Sequence, residues 1–217
     1  LKKERNAIIL AHYYQDPDIQ DVADFMGDSL TLAKQATQIN AEKIINSRPH
    51  DEKIIFAPDK HLGSYLKKKT GRNLLLWNGS CQLHEIFSEK ELVRLKTRYP
   101  QAMVLAHPEC NENILLHSDY IGSTTSIIKF GHESDRKDFI IATEPGVIHQ
   151  MEIQNPEKTF IPLPGNDGCA CNECPYMRLN TLEKIVEALE KMKPEIILPE
   201  DLRIQALIPL EKMLALS

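Results

Sequence analysis

Val104-Leu105-Ala106-His107-Pro108-Glu109 is a short apolar run that stops at a histidine, and nearly the same text stands close to the start of the chain as Ile9-Leu10-Ala11-His12. A brief aliphatic run without polar alternation is what a strand buried on both faces looks like. After each histidine come a polar stretch and then a glycine turn that opens a new apolar-periodic run. The turn is Gly27-Asp28-Ser29 in the first copy and Gly122-Ser123-Thr124, ahead of Thr125-Ser126-Ile127-Ile128, in the second. A glycine followed by small hydroxyl residues at a helix start aims backbone N–H groups and a hydroxyl at one point, which favours phosphate or carboxylate. The paired strand-end histidines and anion turns are the strongest functional signal in the sequence.

Working outward, Ala7 to Ala11, Ile54 to Ala57, Leu74 to Leu76, Ala102 to Ala106, Phe139 to Ala142 and Phe160 to Leu163 read as buried strands. Amphipathic helices with their own start and stop signals lie between them. Ser88 with Glu91 forms a capping box, and Pro100 ends that helix; Asn180 with Glu183 repeats the device. Asp59 is placed to cap a helix through Tyr65 and Leu66 that Gly71 closes. This alternation predicts an α/β fold of βαβ units with parallel sheets. The strands end in His12, Pro58-Asp59, Trp77-Asn78-Gly79, His107-Pro108-Glu109 and Thr143-Glu144. Open α/β sheets bind ligands at such ends.

Composition bounds the function. The 217 residues are 42% apolar and 26% charged with a net charge of −5, which gives no case for nucleic acid or an acidic membrane surface. Lys67-Lys68-Lys69, the basic run, reads as a solvated helix face. No apolar stretch approaches the roughly 18 residues of a membrane span, and no signal peptide is visible, so a cytoplasmic location is expected. Of five cysteines, Cys169, Cys171 and Cys174 crowd one polar loop, which suggests a metal or redox site. Thiolates suit zinc and iron–sulfur clusters alike, and Cys81 is available from a distant strand end. Cys81 and Cys110 could equally be ordinary buried thiols. Strand-end histidines, likewise, are often structural, and Ser29 and Thr124 could simply cap helices.

The dense text Ile8-Ile9-Leu10-Ala11-His12-Tyr13-Tyr14-Gln15, Asp24-Phe25-Met26-Gly27-Asp28-Ser29-Leu30, Phe56-Ala57-Pro58-Asp59-Lys60-His61-Leu62-Gly63 and Trp77-Asn78-Gly79-Ser80-Cys81 with His84 resembles the quinolinate synthetase A family. His107-Pro108-Glu109, Tyr120-Ile121-Gly122-Ser123-Thr124, Thr143-Glu144 and Cys174-Pro175-Tyr176-Met177 with Asn180-Thr181-Leu182 continue the resemblance in the family's order. It implies repeated α/β/α sandwich domains around a central site, three in the family and about two here. Residues 1–39 resemble part of the first domain and 40–217 a later domain with the cysteine loop and C-terminal helices. The middle domain is expected to be missing near 39/40, with Ile39 and Asn40, or residues close by, not covalently joined.

The resemblance further implies a transferase-type enzyme that condenses iminoaspartate with dihydroxyacetone phosphate, loses phosphate and water, and forms quinolinate for NAD biosynthesis. A [4Fe–4S] cluster would be held by Cys81, Cys174 and a third cysteine in the missing segment, with its open iron acting as Lewis acid. His12, Ser29, His107, Ser123 and Thr124 are implied to hold substrate together with Glu109. Glu109 is also the candidate general base, and Tyr14 and His84 are candidate proton relays. An aspartate-oxidising enzyme that supplies iminoaspartate is the expected functional partner. The competing readings are a non-catalytic zinc or iron–sulfur scaffold that senses redox state, and a metal-free sugar-phosphate isomerase or aldolase-type enzyme.

Overall fold

The computed structural model describes residues 1–6, 9–27, 41–57, 59–166 and 172–215. In chain order come α1 (Lys2–Arg5), β1 (Leu10–His12), α2 (Pro17–Val22), β2 (Phe25–Gly27), α3 (Ala41–Asn46), β3 (Ile54–Phe56), α4 (Lys60–Thr70) and β4 (Leu74–Leu76). Then follow α5 (Gln82–Glu85), α6 (Glu89–Arg98), β5 (Met103–Ala106), α7 (Glu112–Leu116), β6 (Tyr120–Ile121), α8 (Thr124–Glu133), β7 (Asp138–Ala142), α9 (Gly146–Gln154) and β8 (Thr159–Pro162). A 3-10 turn (Met177–Leu179), α10 (Leu182–Lys191) and α11 (Glu200–Ala215) complete the order. Ser29, Cys169, Cys171 and the expected break at Ile39–Asn40 lie outside the described residues.

Every described strand pair is parallel: β1 with β2, β3 with β4, and a larger sheet in the order β6-β5-β7-β8. The α/β expectation therefore holds. The larger sheet is covered on both faces, and strand alternation assigns the residues. Val104, Ala106, Ile140 and Ala142 face one way, against Leu83, Leu92 and Ile114 of α5, α6 and α7. Leu105, Phe139 and Ile141 face the other, against Ile127, Ile128, Val147 and Met151 of α8 and α9. Burial on both sides is why β5 and β7 carry apolar text without alternation.

Strand order places the ligand crevice. From β5 the chain moves to β6 at one edge of the sheet, whereas from β7 it moves to β8 at the opposite edge. The two connections diverge at the carboxyl ends of β5 and β7, where an open sheet leaves room for a ligand.

Two smaller units flank this sheet. The β1–β2 unit docks on α9 through Gln20, whose amide nitrogen reaches the carbonyls of Tyr13, Gln15 and Gly146 at 2.9–3.0 Å. The approach is close enough that a Cβ on Gly146 would lie 3.0 Å from the Tyr13 carbonyl oxygen. The β3–β4 unit packs α3 and α4 on one face through Ile45, Leu66 and Leu74.

Asp59 caps its helix as expected, whereas Ser88 makes only half of the expected box: it accepts from Glu91 N–H, but its own N–H donates to the Pro164 carbonyl and not to the Glu91 side chain. The Asn180 cap is corrected: Thr181 is the N-cap of α10, accepting from Lys184 N–H at 3.3 Å, because the Asn180 amide turns instead to Gln15. Asp59 does more than cap. One carboxylate oxygen accepts from His61 and Leu62 N–H and the other from Cys81 N–H, each at 2.8 Å, and the side chain is buried. Asp59→Ala is expected to cost about 2–4 kcal/mol, since it removes a helix cap and orphans a further donor. Asp59→Asn should lose less, and urea unfolding of the three proteins measures the difference.

Candidate functional site

Side chains from five separate segments meet at the β5/β7 crevice. His107 and Glu109 follow β5, Thr143 follows β7, Thr124 opens α8, Tyr14 follows β1, and Cys81 and His84 flank the start of α5. They form one polar line. Thr124 Oγ1 and Tyr14 Oη share a hydrogen bond of 2.8 Å, Tyr14 Oη and Thr143 Oγ1 one of 3.1 Å, and Thr143 Oγ1 and His84 Nε2 one of 3.1 Å. His84 Nδ1 lies 3.2 Å from Glu109 Oε2, and the same oxygen is 3.8 Å from His107 Nδ1. The His84 and His107 rings stack at 4.5 Å. Thr143, at the hub, has no role assigned from the sequence, although it stands one residue beyond a buried strand and within the Thr143-Glu144 block of the family resemblance.

The duplicated text corresponds to duplicated geometry. His12 Nδ1 accepts from Tyr14 N–H at 3.1 Å, and His107 Nδ1 accepts from Glu109 N–H at 3.3 Å. Accepting at Nδ1 places the ring proton on Nε2. In each copy the neighbouring strand runs up to the glycine of its motif, with His12 opposite Gly27 and Ala106 opposite Ile121. Ser123 is the N-cap of α8, accepting from Ser126 N–H at 3.3 Å, and the Thr124 hydroxyl is engaged by Tyr14. The capping alternative for Thr124 is thus corrected: the cap is Ser123, and Thr124 is the first residue of the helix.

Burial sets the electrostatics. His84 is only 1% exposed, and loss of water pulls its pKa down to about 4, with the charge of Asp59 acting the other way. Its Nδ1 is buried without a hydrogen bond despite the nearby Glu109 oxygen. Burial raises the Tyr14 hydroxyl and the Cys81 thiol above their usual ranges. Glu144, fully buried after Thr143, is pushed up to about 7 by burial, opposed by N–H donation from Gly146 and Cys174 and by the Arg178 charge. The sequence assigns Glu144 no role.

A ring with a pKa near 4 when folded against 6.5 when exposed binds fewer protons in the folded state. The stability this gives is complete above pH 6.5 and is lost as pH falls through about 4. Glu144 acts in the opposite sense, favouring the folded state less as pH rises from 4.5 towards 7. Comparison with His84→Gln isolates the histidine: urea midpoints of the variant should fall less steeply between pH 6.5 and 4. Equal slopes would assign the acid limb to other groups.

Three potential metal-binding atoms, from Cys81, His84 and Glu109, lie within 4.8 Å of one another. Cys81 and Cys174 both pack against the buried cluster that includes Leu83, Leu92, Val104 and Ile140. Cys174 N–H reaches Glu144 Oε1 at 3.3 Å, so the cysteine segment is tied to the end of β7. Cys110 is a different kind of thiol: fully buried, donating to the Ala142 carbonyl at 3.2 Å.

Parallel α/β units with thiol, imidazole and carboxylate groups gathered at a strand-order divergence define an α/β enzyme site. Residues 1–45 and 36–215 match the family model described as Quinolinate synthetase A protein. Proteins named quinolinate synthase are similar over the whole chain: that of Trichodesmium erythraeum is 42% identical, with 92% of its length covered. Those of Synechocystis sp. and Chloroherpeton thalassium are each 43% identical, with 93% and 92% covered. The chain belongs to the quinolinate synthetase A family. No helix among the described residues is long and apolar enough to cross a membrane.

Proposed function

We propose that the chain forms quinolinate from iminoaspartate and dihydroxyacetone phosphate, releasing phosphate and water, as a transferase-type step of NAD biosynthesis in the cytoplasm. The observation that carries this reading is the polar line from Thr124 through Tyr14, Thr143 and His84 to Glu109, beside Cys81, in a chain of this family.

The donor set suits a [4Fe–4S] cluster. Cys81 and Cys174 both pack against the same buried core cluster, and the orphaned His84 nitrogen stands in the group with Cys81. These two thiolates would hold the cluster together with a third cysteine from the segment missing near residues 39/40; when bound, it supplies a Lewis-acidic iron. The remaining work falls to the chain itself. His12 and His107, with their protons on Nε2, are donors for the carboxylates of iminoaspartate, and the α8 N-terminal turn at Ser123 and Thr124 adds backbone donors. Ser29 is assigned to the same task. Glu109 takes the proton whose removal interconverts the aldose and ketose forms of the triose. His84 stays neutral at pH 7, so it can pass a proton between Glu109 and the Thr143–Tyr14 pair without holding charge. An aspartate-oxidising enzyme would supply the iminoaspartate.

The family's middle domain is proposed to be missing near residues 39/40. The family match falls into two stretches that meet at residues 36–45, which supports this.

Anaerobic reconstitution with iron and sulfide tests the cluster. The expected product is brown, with a broad band near about 400 nm. Colourless protein holding one zinc would favour the scaffold reading, to which the Cys81, His84 and Glu109 group gives specific support.

A further inference from the structure

Parallel sheets are covered on both faces, and two strands alone are marginal in water. The β3–β4 sheet has only two strands among the described residues and is packed on one face only. Phe56 and Leu76 turn towards α4, where both would crowd a Cβ on Gly63. Ile55 and Leu75, cross-strand partners, point the other way and are 73% and 68% exposed; Trp77 continues that face at 66%. This apolar strip lies on a unit whose first helix begins where the two family matches overlap. The alignment with the Trichodesmium erythraeum relative runs over 296 positions whereas the chain has 217 residues, so about 80 positions face no residue here.

We propose that the Ile55–Leu75–Trp77 face docks a separate polypeptide equivalent to the block that the relatives carry within one chain. The two family matches meet just before this unit, and an uncovered parallel sheet is the surface that removal of a block at that point would leave. The proposal rests on family membership and on the exposed face. It is independent of the cluster and substrate assignments, and its tests read binding and not activity.

The full chain is co-expressed with the unmatched block of the Trichodesmium erythraeum relative as a second polypeptide, any tryptophan in it changed to phenylalanine. The two should purify as a one-to-one complex. Trp77, the only tryptophan of this chain, should then be quenched by acrylamide severalfold less. Leu75→Lys, at an exposed position, should abolish co-purification while leaving the circular dichroism of the free chain unchanged. A second arm does not need the block to fold alone: the block is fused between Ile39 and Asn40, and Trp77 should again become protected. Undiminished quenching in the fused protein overturns the proposal, as does co-purification that survives Leu75→Lys. A free chain that sediments as a dimer and is made monomeric by Leu75→Lys overturns it in favour of a second copy as occupant.

Discussion

Replacing Cys81 with alanine is expected to give colourless protein after reconstitution and to lower quinolinate formation by at least about a thousandfold, or some 4 kcal/mol of barrier. The position is built to present a thiol. Cys81 stands immediately before α5, its backbone N–H is fixed by Asp59, and its side chain is half-buried against the core beside His84 and Glu109. Burial keeps the thiol protonated when no metal is bound, so cluster assembly must release that proton and should weaken as pH falls. Alanine removes the ligand but not the Asp59 bond, so unfolding midpoints should barely move. Cys110→Ala is the matched control: its sulfur is spent on the Ala142 carbonyl, and colour should survive. Retained quinolinate formation in Cys81→Ala would defeat the ligand assignment.

What could be read from the sequence divides along physical lines. The interiors of β5 and β7 were legible because strands buried on both faces must be apolar throughout. Asp59 and Ser88 were legible because a cap acts through its own side chain on N–H groups two or three residues away. The Asn180 cap failed on a contact distant in sequence, its amide being drawn to Gln15 while Thr181 does the capping. The strands Phe25–Gly27 and Tyr120–Ile121 were missed because two or three residues show no period. Strand order was beyond reach, since parallel neighbours are chosen by packing between distant segments, yet that order puts His107 and Thr143 on opposite lips of one crevice. The duplicated histidines were visible as text, but the shared device, a ring nitrogen accepting from the second residue onward, was not. Thr143 and Glu144 differ from other strand-end polar residues only in what folds against them.

Glu109→Gln is expected to lower the rate of quinolinate formation by about a hundredfold to ten-thousandfold, the usual worth of a positioned proton acceptor. The substitution is nearly isosteric. The Glu109 N–H to His107 bond is made by the backbone and survives it, and the carboxylate itself is partly exposed, so the fold should hold. Cluster colour should survive too, which separates this defect from that of Cys81→Ala. His84 cannot take over as the base and leave the rate unchanged: its nitrogens face Thr143 on one side and residue 109 on the other. A proton that it accepts must therefore move on along the line to Tyr14, and the buried tyrosine hydroxyl holds its own proton tightly. If Glu109 is the acceptor, the loss should fall on the turnover number far more than on the Michaelis constants, because an amide can still accept a hydrogen bond from bound substrate but cannot take its proton. A variant whose turnover is untouched while substrate affinity collapses would make Glu109 a binding group only, and the base would have to be sought elsewhere on the strand ends.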